Sequence, residues 1–131
     1  MEKLSRGKPL NGLDITGKSE EYPVEHKVMV LRDEHFQTVA FLAKSLSDEN
    51  RLRIILCVSR GKKSVSSIVE ELGLSQPLVS HHLRELKRSL LVRIERNGPF
   101  IYYELVDNRI LDVVRTLSTV ATDLLTARKT F

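Results

Sequence analysis

The 131-residue chain is predicted to be mainly α-helical, of the α+β class, with five helices and a single β-hairpin. Apolar residues recur at helical spacing in five segments of the sequence. Two short segments rich in β-branched and aromatic residues flank the dipeptide Asn97-Gly98, which is typical of a tight hairpin turn. Hydrophobic residues make up 41% of the chain and charged residues 29%, as expected of one globular domain with a modest core.

The chain begins with a segment unlike the rest. In residues 1–27, apolar residues are sparse, and Gly and Pro interrupt any helical or strand periodicity. This composition predicts an N-terminal extension that is either disordered or docked on the body of the protein. We expect the folded domain to span residues 28–131.

Apolar periodicity predicts the first two helices. The first spans about residues 32–45. The second follows Asp48, a favourable N-cap residue, and is expected to stop at Gly61. The inward residues are Phe36, Val39, Ala40, Ala43 and Leu46 for the first helix and Leu52, Ile55 and Leu56 for the second.

The third and fourth helices are short and are separated by Gly73. Ser64 or Ser67 caps the third helix, and Ser67 forms a capping box with the glutamate three residues later. The fourth starts near Ser75 and carries Pro77 in its first turn, where a missing N–H costs little. The inward residues are Val65, Ile68, Val69 and Leu72 for the third helix and Val79, Leu83 and Leu86 for the fourth.

The hairpin is predicted to pair residues 91–96 with residues 100–105, leaving Pro99 in the loop. The last helix spans about residues 108–128. Its apolar face is wider than a small domain can easily cover, so we expect it to pack against a partner helix. This face consists of Ile110, Leu111, Val113, Val114, Leu117, Val120, Ala121, Leu124 and Leu125.

The net charge of +4 is concentrated in one stretch of the chain. Residues 60–96 contain eight basic and four acidic residues, whereas the rest of the chain contains thirteen of each. A local basic patch is typical of proteins that bind a polyanion. A solvated face that aids solubility explains the charge equally well.

Several classes of protein are excluded by composition. The longest apolar run is residues 54–58, which is too short to span a bilayer. The N-terminus lacks the apolar region of a secretory signal, and the single Cys57 allows no intramolecular disulfide. We therefore expect a cytoplasmic protein without membrane contact. Cys57 is more readily explained as a packed core residue than as a redox sensor.

Two short helices joined by a glycine turn and followed by a basic hairpin form the pattern of a winged helix-turn-helix. The major groove of DNA admits one α-helix, and the first helix of the pair braces the second. We therefore expect the fourth helix to bind duplex DNA with its outward side chains. These are Gln76, Leu78, Ser80, His81, Arg84, Lys87 and Arg88.

The outward residues suit different contacts. The Gln76 amide can form two hydrogen bonds to adenine, and Ser80 and His81 are short donors or acceptors for base edges. Basic side chains hold phosphates without reading sequence, and from a wing they enter or straddle a minor groove. The residues expected to do so are Arg84, Lys87, Arg88, Arg93 and Arg96.

The same segments resemble the ArsR family of prokaryotic repressors. Residues 46–54, LSDENRLRI, are similar to the second-helix signature of that family. Residues 72–86, LGLSQPLVSHHLREL, resemble its recognition helix almost residue for residue, and the hairpin from Leu91 to Leu105 is similar too. The resemblance covers about residues 32–125.

This resemblance implies a homodimer, joined through the first and last helices, that represses transcription by binding an imperfect palindrome. The base-contacting positions of the family fall on Gln76, Ser80 and His81. Leu78 stands where a small polar residue is usual, and an apolar contact with a thymine methyl would suit it. The interface implied for the dimer consists of Phe36, Val39, Leu117, Ala121 and Leu124.

The metal-sensing motifs of the family are missing. Its Cys-Val-Cys element aligns with Ser64-Val65-Ser66, and a serine hydroxyl does not replace a thiolate for soft metals. Residues 108–131 contain no histidine for the second family site. We expect no metal and no cofactor, and the sequence identifies no inducer.

The sequence supports two other functions less well. A winged helix that has lost DNA binding could serve as a protein-interaction module, although the outward basic residues argue against it. An enzyme is the weakest hypothesis, because the sequence shows no nucleophile–base pair, phosphate-binding glycine loop or metal cluster.

Overall fold

A computed structural model describes residues 30–128 of the chain, so the extension predicted for residues 1–27 lies outside the described part. Within it the fold is the predicted one, five helices and one antiparallel hairpin. The elements are α1 (Asp33–Ser45), α2 (Glu49–Ser59), α3 (Val65–Leu72), α4 (Gln76–Arg88), β1 (Val92–Asn97), β2 (Phe100–Leu105) and α5 (Arg109–Arg128).

Side-chain caps set the starts of the three central helices. Asp48 accepts a hydrogen bond from the N–H of Arg51 at 3.0 Å, and Ser75 accepts one from the N–H of Leu78 at 3.3 Å, as predicted. Of the two serines considered for α3, Ser64 is the cap. The capping box at Ser67 was therefore wrong, because that residue already lies inside the helix.

Two details of α2 also differ from the prediction. The helix ends at Ser59 with Arg60 as its C-cap, because Gly61 has a φ of +141° and is no longer helical. Leu56 was expected to face inward but is 45% exposed. It lies about 200° around the helix from Ile54, which is fully buried, and therefore faces away from the core.

The hairpin turn is centred one residue later than predicted. The last pair of the ladder is Asn97 with Phe100, so Gly98 and Pro99 form the two-residue loop. Gly98 has a φ of +62°, whereas Asn97 is not among the residues with positive φ. A positive φ at the first loop position followed by the fixed negative φ of proline is the geometry of a type II′ turn.

The core lies between α2, α3, α4 and the base of the hairpin. Tyr103 packs against it, and a backbone bridge between Tyr103 and Lys63, with N–O distances of 2.8 and 2.9 Å, ties the α2–α3 loop to β2. Cys57 is fully buried, which confirms its prediction as a core residue. The largest fully buried side chains are Ile54, Ile55, Val58, Ile68, Val79, Leu83, Leu86 and Val92.

The outer helices contribute little to this core. No residue of α1 is buried, and in α5 only Ile110 is. The inward face predicted for the first helix was therefore wrong for a single chain, because four of its residues are exposed: Phe36, Val39, Ala40 and Ala43. Beyond Val114, every residue of α5 through Arg128 is exposed. The wide apolar face predicted for the last helix therefore lies largely uncovered on a single chain.

Helix α4 ends in an unusual cap. The N–H of Leu90 donates to the carbonyl of Lys87 at 3.0 Å, and the N–H of Leu91 donates to that of Leu86 at 2.9 Å. This is the hydrogen-bond pattern of a Schellman motif, whose left-handed position is normally occupied by glycine. Here Leu90 occupies it with a φ of +65°, and its side chain is 76% exposed.

Candidate nucleic-acid interface

The α3–α4 pair is held by apolar packing across a glycine turn. Ile68 of α3 and Val79 and Leu83 of α4 are fully buried. Gly73, at φ +67°, forms the left-handed C-cap of α3 and lets the chain reverse toward α4. Since the buried face of α4 is fixed in this way, its opposite face is presented to solvent.

That opposite face contains the side chains predicted to bind DNA. Gln76, Ser80 and Arg84 follow one another at intervals of four residues and so lie along one side of the helix. Gln76 and Arg84 are exposed and Ser80 is half-buried. His81, Lys87 and Arg88 are also exposed.

The basic residues of α4 differ in their partners. Arg88 donates to Glu85 at 2.7 Å one turn earlier on the helix. Arg84 and Lys87 have no acidic partner among residues 30–128. Their charge is therefore available to an external anion, whereas the charge of Arg88 is partly compensated.

His82 occupies a different environment from its neighbour His81. It is buried, and its Nε2 lies 3.7 Å from Oδ1 of Asp48, which is too long for a hydrogen bond. Its Nδ1 has no hydrogen-bond partner in the described part of the chain. Burial lowers the pKa of His82, against the opposing effect of the Asp48 carboxylate, so the ring is neutral at pH 7. His82 therefore packs inside the fold, and His81 is the histidine that faces solvent.

Arg51 connects this buried contact to α1. Its Nε donates to the carbonyl of Ser45 at 2.8 Å and its Nη2 to that of Lys44 at 3.0 Å, which satisfies the end of α1. Its backbone N–H donates to Asp48. The end of α1, the start of α2 and the buried side of α4 thus meet at one junction. Sequence analysis missed this junction, although a carboxylate capping α2 was the available signal.

The hairpin wing carries charges that are mostly paired. Arg93 donates to Glu104 at 3.2 Å across the two strands, and Lys62 pairs with Glu95. Arg96 is exposed and has no acidic partner among residues 30–128. Of the two wing arginines predicted to contact DNA, only Arg96 presents an uncompensated charge.

Cys57 lies in an environment that does not favour a reactive thiolate. Burial and a hydrogen bond with Glu71 raise the pKa of its thiol. Glu71 itself pairs with Lys63 and Arg60. The thiol is therefore protonated at neutral pH, and the thiolate is the form that reacts.

The described residues form no metal site and no membrane span. Residues 30–128 contain no group of three or more His, Cys, Asp or Glu side chains placed to hold a metal ion. None of the described helices is long and apolar enough to cross a membrane.

The geometry defines a class of protein: a winged helix-turn-helix that presents an exposed, uncompensated basic helix face beside a β-hairpin wing. Comparison with known proteins narrows this class. The arsR family of bacterial regulatory proteins matches residues 48–93. The chain belongs to this family, since relatives at 32% identity are covered over more than two thirds of their length.

The relatives and solved structures agree with this placement. An uncharacterised HTH-type transcriptional regulator of Methanocaldococcus jannaschii is 32% identical over 83 residues, which cover 63% of this chain and 93% of that protein. A transcriptional repressor SmtB homolog of Synechocystis is 32% identical over 95 residues, which cover 72% of this chain and 70% of that protein. The homodimeric winged helix-turn-helix domain of a possible ArsR-family regulator from Mycobacterium bovis superposes with a TM-score of 0.63 at 26% identity, covering 72% of this chain and 91% of that domain.

Proposed function

We propose that this chain represses transcription as a homodimer that binds an imperfect palindrome in double-stranded DNA. In this proposal α4 enters the major groove, where Gln76, Ser80 and His81 contact base edges. Basic side chains fix the helix on the phosphates or reach the minor groove from the wing. These are Arg84, Lys87, Arg88, Arg93 and Arg96. No catalytic step is part of the function.

One observation carries the proposal. The exposed side of α4 combines side chains that can hydrogen-bond to bases, at its N-terminal half, with the uncompensated cations Arg84 and Lys87, toward its C-terminal half. Base contacts alone would give little affinity and cations alone little specificity. Their combination on one helix face fits a sequence-specific DNA reader.

The homodimer is supported by the uncovered apolar side chains of the outer helices. Leu117 and Leu124 of α5 are 52% and 66% exposed, and Phe36 and Val39 of α1 are also exposed. With Ala121, these residues form the proposed interface between two copies. Apolar stripes of this extent on a small domain mark an interaction surface. A dimer places two α4 helices in successive major grooves, roughly 34 Å apart.

The test is a titration of the full chain with duplexes that it selects from a random pool, followed by fluorescence anisotropy at several salt concentrations. We expect Gln76→Ala and His81→Ala to reduce the discrimination between selected and unselected duplexes by about 1–3 kcal/mol. Arg84→Ala should weaken binding to all duplexes and reduce the log–log salt slope by about one.

Arg115→Ala is the matched control, because it removes one exposed arginine from α5, which is not part of the proposed DNA interface. It should leave the salt slope unchanged. A wild-type chain that binds no duplex at moderate salt would contradict the proposal and favour a protein-interaction module instead.

A further inference from the structure

The tip of the wing is apolar as well as exposed. Phe100, directly after the turn, is 59% exposed, and the next residue, Ile101, is 37% exposed. Pro99 adds a third apolar surface at the loop. The Phe100 ring meets only one other aromatic ring of the described residues, that of Tyr102, at a centroid distance of 6.4 Å. More than half of Phe100 is therefore left uncovered by the described part of a single chain.

The charges of the wing are distributed so that its tip carries no free carboxylate. Glu95 and Glu104, the two acidic residues of the strands, are paired with Lys62 and Arg93. Arg96 stands opposite Ile101 in the ladder, near the tip, without an acidic partner in residues 30–128. The tip therefore combines an uncompensated cation with exposed apolar groups.

The hairpin fixes the backbone from which Phe100 projects. Phe100 is in the last pair of the ladder, opposite Asn97, so the two-residue turn fixes its backbone. The Phe100 ring is tilted against its neighbour Tyr102, and the ammonium of Lys62 lies 5.7 Å from the centre of the Tyr102 ring. A backbone that is ordered before binding loses less conformational entropy when its side chain makes a contact.

The chemistry that matches this tip is the minor groove of duplex DNA. The groove concentrates negative potential, which attracts arginine, and proteins that bind it insert apolar side chains between base steps. We infer that Phe100 is an apolar wedge that enters the minor groove with the wing tip, partly unstacks a base step and bends the duplex. Arg96 shares the face of its ladder partner Ile101, so it contacts the groove from the opposite face of the hairpin. This inference rests on the proposed function and adds a DNA contact that no cationic or base-reading residue supplies.

The test compares three variants of the full chain on a duplex that the wild-type chain selects from a random pool. A fluorescent purine analogue, whose emission rises on unstacking, is placed in turn at each position flanking the centre of the site. Bending is measured by energy transfer between dyes at the duplex ends. The variants are Phe100→Ala, Arg96→Ala and, as a control for loss of an exposed apolar side chain outside the wing, Leu90→Ala.

We expect Phe100→Ala to abolish the fluorescence rise, to reduce the bend and to weaken binding by about tenfold, with an unchanged salt slope. Arg96→Ala should instead reduce the salt slope by about one. Leu90→Ala should match the wild-type chain in all three measurements. Melting curves of the free variants should coincide with that of the wild type, because Phe100 is exposed.

The two levels of the proposal fail in different ways. If the wild-type chain binds no duplex, the proposed function is refuted, and the wedge with it. If the wild-type chain binds but Phe100→Ala shows the same affinity, bend and fluorescence, only the wedge is refuted. Equal losses in Phe100→Ala and Leu90→Ala would also refute it, since the effect would then not belong to the wing.

Discussion

Apolar stripes occur both on the central helices and on the outer helices, α1 and α5. The central stripes are buried within one chain, whereas the outer stripes are largely exposed. All of the largest fully buried side chains belong to α2, α3, α4 and β1. Helix α1 buries none of its residues, and α5 is anchored on the core by Ile110, with Leu111 and Val114 partly buried beside it. The apolar residues of the centre are covered within one chain, whereas most of those on the outer helices are exposed.

This difference separates two sources of stability. Burial of apolar surface contributes roughly 25 cal/mol per Å², and in a single chain that contribution comes almost entirely from the centre. Most of the stability of a protein helix comes from packing of its apolar face, and α5 packs little of that face within one chain. We therefore expect the centre to set the stability of the protomer, and pairing to set that of α1 and α5.

The largest expected effect is in the centre. Leu83→Ala removes a fully buried side chain from α4 and should lower the free energy of unfolding by about 2–5 kcal/mol, because it leaves a cavity between α3 and α4. Urea unfolding measures the change. Leu90→Ala, at an exposed position of similar chemistry, should change the stability by less than about 0.5 kcal/mol. If both variants lost the same free energy of unfolding, the proposed difference between buried and exposed leucines would be refuted.

The next effect concerns the outer helices. Leu117→Glu places a charge on the proposed dimer face, where pairing would bury it, and should raise the dimer dissociation constant by about 100-fold or more. Sedimentation equilibrium measures this constant. Thr119→Glu is the matched control, since residue 119 points about 200° away from residue 117 on the same helix. A monomeric wild-type chain would contradict the assignment of this face.

A smaller effect concerns His82, at the junction of α1, α2 and α4. Its pKa is lowered from 6.5 by burial, so the unfolded chain takes up the proton at a higher pH than the folded chain. The contribution of His82 to stability should therefore be constant well above about pH 6.5 and fall as the pH decreases toward the folded pKa, by about 1.4 kcal/mol for each unit of pKa depression.

The measurement is urea unfolding between pH 5 and 8, a range set by the ordinary pKa of histidine. The charged or titratable groups around the ring are Asp48, Arg51, His81 and Glu85. His82→Leu should abolish the decline, whereas His81→Gln, which removes an exposed imidazole from the same helix, should preserve it. A decline that persists in His82→Leu would exclude His82 as its source.

The smallest effect is a gain in stability at the end of α4. Leu90 has a φ of +65°, a conformation that costs a residue with a side chain about 1–2 kcal/mol. Leu90→Gly removes this strain but adds freedom to the unfolded chain, so we expect a net gain of about 0.5–1 kcal/mol in thermal unfolding experiments. A loss of stability would show that the exposed Leu90 side chain contributes contacts that outweigh the strain.

The sequence predicted the helices and the core well because their signals are local. Asp48 and Ser75 are caps whose side chains bond within three residues, and the inward stripes of α3 and α4 follow from helical periodicity. The inward stripe predicted for α1 was wrong, because periodicity does not show whether the same chain covers a stripe. The turn of the hairpin was misplaced because Asn97-Gly98 and Gly98-Pro99 both satisfy hairpin rules, and the pairing register decides between them. Leu56 was misassigned because hydrophobicity alone does not establish which side of a helix is covered.

The candidate site was less predictable, since its electrostatics depend on contacts between distant segments. The sequence predicted the same DNA contact for Arg93 and Arg96, but of the two only Arg93 forms an ion pair with a carboxylate of the neighbouring strand, that of Glu104. The approach of His82 to Asp48 joins positions 34 residues apart in the chain, which no local pattern reveals. Phe100 appeared as a strand residue until its exposure at the wing tip was known.

The long uncovered stripe of α5 has a consequence for how steeply such a regulator would respond to its own abundance. If two chains must join before a palindrome is held at both halves, the amount of competent species grows with the square of the chain concentration while most chains are single. Halving expression would then reduce promoter occupancy by nearly fourfold at low abundance. Through dimerisation, the exposed leucines of α5 would thus make promoter occupancy depend steeply on the concentration of this chain.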